Sequence, residues 1–400
     1  MASAVPAPRF PHLDGVRAIA ATSVLVSHTS GLTTFAPSNA VFGPLTARFN
    51  VGVTIFFVLS GFLLYRPYVM ARLADRDGPA IGGYLRRRVL RILPAYWLAL
   101  TLLAVWPGLS GVFTKDWWVY YGFLQNLRGG WIVQGIPPAW TLHVEITFYA
   151  SLPFLALAGA RWLRGRPHAQ QFRAEVAALS ALALASLALR TWRFEVAPGA
   201  VDSHLLPQFL LWFALGMLLA VVSAHVADRP FADRPRWVRA IGERPWLPWL
   251  GAAAVLVVST RVGLPTTFIV EYDALRWFLE HVLYALIGVL VVLPAAIGID
   301  GGGWVRTLLA WRPLAWIGLI SYGIYLWHLP LANEINASLG PRVDDFGFPV
   351  VTVVTFVAAT VAAAASYYAV ERPLLRRFRE PRRTGTVAPQ PATSAGVTSR

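Results

Sequence analysis

Arg17 and His28 stand eleven residues apart in one apolar segment, LDGVRAIAATSVLVSHTS. At about 100° and about 1.5 Å per residue, that spacing closes three helical turns to within roughly 20°, so both side chains fall on one face about 16 Å apart. Asp14 lies about 40° off the same stripe. An acid, a guanidinium and an imidazole on one side of an apolar helix read as an intramembrane polar site, because each is costly to expose to lipid. His28 sits well inside the segment, where an imidazole can give and take a proton if a partner orients it. The plainer alternative makes Asp14 and Arg17 a helix-start cap and anchor, with His28 bonded to a neighbouring carbonyl.

Four further groups of residues carry chemical potential. In YLRRRVLRILPAYW, Arg86, Arg87, Arg88 and Arg91 directly precede an apolar span, and Arg88 and Arg91, three apart, share a helix face and can grip one polyanion together. A basic rim touching lipid phosphates is the alternative. In PPAWTLHVEITFY, Glu145 falls near the start of a span between the interfacial aromatics Trp140 and Tyr149, while His143 points to a different face and makes a poor metal partner. In ISYGIYLWHLP, Ser321, Tyr325 and His328 follow i, i+4, i+7 and line one stripe, for which interhelical hydrogen bonding is the alternative. In NVGVTIFFVLSGFLL, Gly52, Ser60 and Gly61 permit close helix approach.

The elements that must position these groups are membrane helices. Of 400 residues, 56% are hydrophobic and 14% charged, and apolar stretches long enough to cross a hydrocarbon layer recur from end to end. Ten spans are expected, at about 16–34, 50–70, 93–112, 141–160, 174–190, 205–223, 246–262, 276–297, 314–335 and 348–369. The fold class is therefore all-α, a polytopic membrane bundle over residues 1–379 followed by a disordered cytoplasmic tail over 380–400.

Sorting Lys and Arg into alternate connections puts 27 of the 35 on the side of both termini and 8 on the other, which makes the first side cytoplasmic. The net charge of +15 then follows from rims facing anionic lipid, and no nucleic-acid partner is required. With no cysteine there is no disulfide framework, thiolate metal site or cysteine nucleophile. The first residues lack the pattern of a cleaved signal, so the first apolar segment is expected to stay as a span.

Taken together and in order, LDGVRAIAATSVLVSH, VGVTIFFVLSGFLL, RRRVLRILPAYW, WTLHVEITFY, ISYGIYLWH and the closing ERP resemble acyltransferase family 3, a family of integral membrane O-acyltransferases. The resemblance implies a ten-helix bacterial inner-membrane protein that moves an acyl group, commonly acetyl, from cytoplasmic acyl-CoA to a hydroxyl, usually of a sugar. The family's Arg-x10-His motif falls on Arg17 and His28, its Arg-x-x-Arg motif on Arg88 and Arg91, and the Glu of its Trp-Ser-x-x-x-Glu motif on Glu145. Against the usual WSLSVEEQFY form this chain carries Thr141, His143, Ile146 and Thr147. Many relatives add a soluble esterase-like domain, for which the tail here is too short. Compact chains of this kind also resemble members that acylate the sugar or ring hydroxyl of macrolide-type products.

The resulting expectation assigns His28, Arg17, Asp14 and Glu145 to catalysis, Arg86, Arg87, Arg88 and Arg91 to the phosphates of acyl-CoA, and Ser60, Trp140, Tyr325 and His328 to the substrate. Acyl-CoA is a co-substrate, with no resident cofactor or metal. The partners are the bilayer and a hydroxylated sugar on a glycan, glycolipid or glycosylated small molecule. His28 would act as general base, worth about 10²–10⁴-fold, or as a nucleophile forming an acyl-histidine. The rival from another class is a polytopic transporter or flippase without covalent chemistry, which ten spans with polar groups at the midplane would suit as well.

Overall fold

The computed structural model describes residues 10, 12–196, 204–227, 229–266, 273–297, 302–339 and 347–378, so the expected tail over 380–400 lies outside the described residues. Its regular structure is helical. Eleven principal helices follow in order: α1 (His12–Leu32), α2 (Gly52–Leu73), α3 (Ile81–Leu103), α4 (Trp140–Leu163), α5 (His168–Val196), α6 (Leu210–Val226), α7 (Trp246–Ser259), α8 (Ala274–Ala296), α9 (Arg312–Leu319), α10 (Ser321–Leu339) and α11 (Gly347–Ser366). In hydrocarbon each backbone polar group needs an internal partner, and a helix supplies it within its own segment.

Among the described residues, six helices are long and apolar enough to cross a membrane, and α9 with α10, bent by 70° at their junction, make a seventh if taken as one span. Every expected segment coincides with a helix or the bent pair, yet three of the ten do not meet that test. α6 and α7 have 17 and 14 residues, about 26 and 21 Å of rise against a hydrocarbon core of about 30 Å. α1 has the length and lacks the apolarity, because Asp14, Arg17, His28 and several hydroxyls dilute it. Its place in the bundle explains why that is tolerated: α1 packs against α2, α8, α9, α10 and α11 and is enclosed by protein.

One boundary differs from expectation in a way that matters. The third helix starts at Ile81, twelve residues before the expected 93, so the arginine cluster lies within the helix and not ahead of it. Helical geometry then separates the four side chains: Arg88 and Arg91 turn inward, while Arg86 and Arg87 are exposed.

Close approach of helix backbones sets the scaffold. α2 and α6 make the most extensive contact of the bundle, and their crossing is built on two glycines: a β-carbon on Gly61 would come within 2.2 Å of the Phe213 carbonyl oxygen, and one on Gly216 within 2.1 Å of the Val58 carbonyl oxygen. Phe57, Phe148 and Phe213 stack beside this crossing, tying α2, α4 and α6 into one core.

Candidate active site

A cleft enclosing about 780 Å³ of space, part of it open to solvent, is lined by five helices. α1 contributes Arg17, α2 Ser60 and Phe56, α3 Arg88 and Arg91, α4 Thr141, Glu145 and Tyr149, and α10 Ser321, Tyr322 and Tyr325. Three guanidinium groups face one carboxylate, so the cleft is cationic as a whole. Arg17 also holds Asp14 at 3.3 Å, one turn away on α1, and the Asp14 side chain stays outside the cleft, 42% exposed. The Arg88 guanidinium lies over the Tyr149 ring at 5.8 Å, and its Nε is buried without a hydrogen-bond partner among the described residues.

Glu145 is fixed from two sides. Ser60 donates to its Oε1 at 2.7 Å from α2, and Tyr149, one turn along α4, donates to the same oxygen. At the inner wall the Tyr325 hydroxyl donates to the Pro138 carbonyl at 3.1 Å and meets the Thr141 hydroxyl at 2.9 Å.

His28 does not line the cleft; its partner His328 lies beside Tyr325, their ring centroids 5.7 Å apart. Nδ1 of His28 is 2.7 Å from Nε2 of His328, and the two imidazole rings are tilted by only 5° with centroids 5.0 Å apart. That separation is the contact plus one ring radius on each side, so the imidazoles meet edge to edge in nearly one plane, as a ring-to-ring hydrogen bond requires. On its far side His328 Nδ1 donates to the Tyr325 carbonyl at 2.8 Å and approaches that of Ile324 at 3.2 Å. Tyr325 thus belongs to both groups: its hydroxyl and ring form the cleft wall, and its carbonyl anchors the histidine pair.

Of the residues singled out from the sequence, Arg17, Arg88, Arg91, Glu145, Ser60 and Tyr325 converge on the cleft, and His28 and His328 converge on each other. Asp14 joins through Arg17 alone. Arg86 and Arg87 do not reach the cleft, and Trp140 turns away from it to pack on His204 and Phe209. His143 bonds the Phe123 carbonyl at 2.6 Å and serves the scaffold. Sequence reasoning missed the cleft roles of Tyr149 and Tyr322. Tyr149 follows Glu145 at i, i+4, a signal that was available once the carboxylate was singled out.

The histidine pair, the Arg-x-x-Arg face and the half-buried carboxylate on a helical membrane scaffold define the class. The sequence model of a family described as an acyltransferase domain matches residues 10–368, and the chain belongs to that family, acyltransferase family 3. Among similar proteins, a peptidoglycan O-acetyltransferase of Listeria monocytogenes is 23% identical over 80% of this chain and 49% of its own length. The exopolysaccharide production protein ExoZ of Rhizobium meliloti is 27% identical over 84% of this chain and 93% of its own length. Nodulation protein 10 of Rhizobium leguminosarum bv. viciae is 26% identical over 91% of this chain and 93% of its own. The chain therefore spans about half the length of the Listeria relative and nearly all of the two rhizobial ones. No solved structure matches the chain.

Proposed function

We propose that this chain is a membrane O-acyltransferase that takes an acyl group, acetyl first of all, from acyl-CoA on the cytoplasmic side and places it on a sugar hydroxyl of a surface glycan, a glycolipid or a glycosylated macrolide-type product. The carrying observation is a cationic cleft whose wall residue Tyr325 also anchors, through its carbonyl, a histidine pair set behind it. Phosphates need the first and hydroxyl deprotonation needs the second. The rhizobial relative named for exopolysaccharide production and the Listeria peptidoglycan O-acetyltransferase support a sugar acceptor.

In this reading the arginines at the Arg17 end of the bundle hold the CoA phosphates, and its thin arm runs inward toward His28, about 16 Å deeper along α1 by helical rise. His28 takes the proton of the acceptor hydroxyl through Nε2. The oxygen attacks the thioester carbonyl, the carbon–sulfur bond breaks, and the departing thiolate recovers the proton from the imidazolium. Glu145 orients the acceptor, with Ser60 and Tyr149 holding the carboxylate. Attack by His28 itself would give an acyl-histidine and the same net transfer. Both termini lie in the cytoplasm of a bacterial cell.

The test is transfer from radiolabelled acetyl-CoA by purified protein in lipid nanodiscs supplied with glycan acceptors. Label should move to a hydroxyl and free CoA should appear in equal amount, whereas His28→Ala should abolish both and still fold. Intact acetyl-CoA with no labelled acceptor would overturn the proposal.

A further inference from the structure

The geometry points to His328 as the positioning residue that fixes the protonation pattern of His28, and not as a substrate ligand. This rests on the reading of His28 as the base, and its own test is independent of that reading.

The argument is one of hydrogen-bond direction. The carbonyl oxygens of Tyr325 and Ile324 can only accept, so the Nδ1 of His328 that faces them must carry a hydrogen. In a neutral imidazole the other nitrogen then bears the lone pair, which leaves Nε2 of His328 as an acceptor. Nδ1 of His28 lies 2.7 Å from that acceptor and has to be the donor. A neutral His28 so bonded is protonated on Nδ1 and bears its lone pair on Nε2. The backbone of α10 thus dictates, through one ring, which nitrogen of a second ring on α1 can remove a proton.

Two observations make this a built arrangement. His328 is 1% exposed, so water does not compete for its nitrogens, and its ring is nearly coplanar with that of His28, which an in-plane lone pair demands. The same logic governs catalytic triads, where a group behind the histidine selects its tautomer and orients its ring, and where a wrong tautomer alone costs about 10⁴-fold. Here the orienting group is a second imidazole held by a helix carbonyl. During reaction the proton arrives at Nε2 of His28 while Nδ1–H stays donated to His328, and when it leaves the same pattern returns.

Nitrogen-15 NMR of histidine-labelled protein in nanodiscs reads the tautomer directly, with His28→Gln used to assign the signals. Wild type should show His28 protonated at Nδ1 and unprotonated at Nε2. His328→Gln places an amide oxygen near the position of the lost Nε2 and should keep that pattern, with acetyl-CoA turnover within roughly tenfold of wild type. His328→Leu removes the acceptor and should shift His28 toward the other tautomer, with turnover down about 10²-fold or more and circular dichroism unchanged. A wild-type His28 protonated at Nε2, or a His328→Leu protein with the wild-type pattern, overturns the inference whatever the activity. The expected tautomers in a wild-type protein that transfers no label would uphold the pairing and remove the acyltransferase reading instead.

Discussion

Ser60 and Glu145, 85 residues apart in sequence, are joined by a 2.7 Å hydrogen bond across the cleft, and Tyr149 donates to the same carboxylate oxygen. Two donors on one oxygen hold the carboxylate in a single orientation toward the three arginines. Glu145→Gln keeps the shape and an accepting oxygen and removes only the charge. Unfolding temperature should stay close to wild type, while acetyl transfer should fall about 10²-fold or more. Ser60→Ala leaves the Tyr149 donor in place and should cost about tenfold. A Glu145→Gln protein of full activity would remove the carboxylate from the chemistry and leave it a packing role.

The four arginines of α3 should separate into two functional pairs. Arg88 and Arg91 line the cleft and each can make charge-assisted bonds to phosphate, worth about 1.5–3 kcal/mol apiece, or roughly tenfold or more in affinity. Arg86 and Arg87 are exposed and act on a bound anion only through a screened field, so their removal should cost at most a few-fold. Isothermal titration of CoA against Arg88→Ala, Arg91→Ala and Arg86→Ala checks the division. Arg88→Lys should rescue partly, because a point charge does not reproduce a planar fork. Equal losses at Arg86 and Arg88 would return the cluster to a topological rim.

Spacing along one helix is legible in sequence, and that is how Arg17 and His28, Arg88 and Arg91, and the Ser321–Tyr325–His328 stripe stood out. What spacing cannot give is the partner across the bundle. Ser321 and Tyr325 of that stripe line the cleft while His328 turns to His28, 300 residues away, and no local pattern announces that pairing. Trp140 reads like any interfacial tryptophan, and only the packing of His204 and Phe209 on its ring shows that it leaves the cleft. Hydropathy located the helices well because the bilayer imposes it. It underrates α1 because a helix wrapped by other helices is relieved of that constraint, and the polar residues that lower its score are the ones of chemical interest.

A second polar cluster, outside the cleft, carries stability. Arg72 of α2 pairs with Glu175 of α5, whose other oxygen accepts from the Tyr65 hydroxyl at 2.5 Å, and Arg72 Nε donates to Gln171 at 3.1 Å. The Glu175 side chain is 3% exposed and that of Arg72 10%. Removing one member of such a pair strands a buried charge, so Glu175→Leu should destabilise the protein by about 3–5 kcal/mol. Replacing both, Arg72→Met with Glu175→Leu, should recover most of that loss, since desolvation cost disappears with the charges. Denaturation in one detergent compares the three. A Glu175→Leu protein as stable as wild type would show that the charges are hydrated in solution.

The α2–α6 crossing predicts a reversal of an ordinary rule. In an exposed helix Gly→Ala stabilises by about 1 kcal/mol, because alanine loses less backbone freedom on folding. At Gly216 the added β-carbon would meet the Val58 carbonyl at 2.1 Å, and at Gly61 the Phe213 carbonyl at 2.2 Å, both backbone atoms that cannot rotate away. The helices must then separate, at a cost of about 1–3 kcal/mol or more. Gly159 on α4 is the control: its β-carbon would find only the Tyr65 hydroxyl at 3.8 Å, an ordinary contact, so Gly159→Ala should be neutral or stabilising. Separation at Gly61 also moves its neighbour Ser60, so Gly61→Ala should lose acetyl transfer in proportion to the lost grip on Glu145, whereas Gly216→Ala should lose stability first. Thermal unfolding and transfer measured side by side decide it. Gly61→Ala with wild-type stability and rate would mean that the two backbones do not approach this closely.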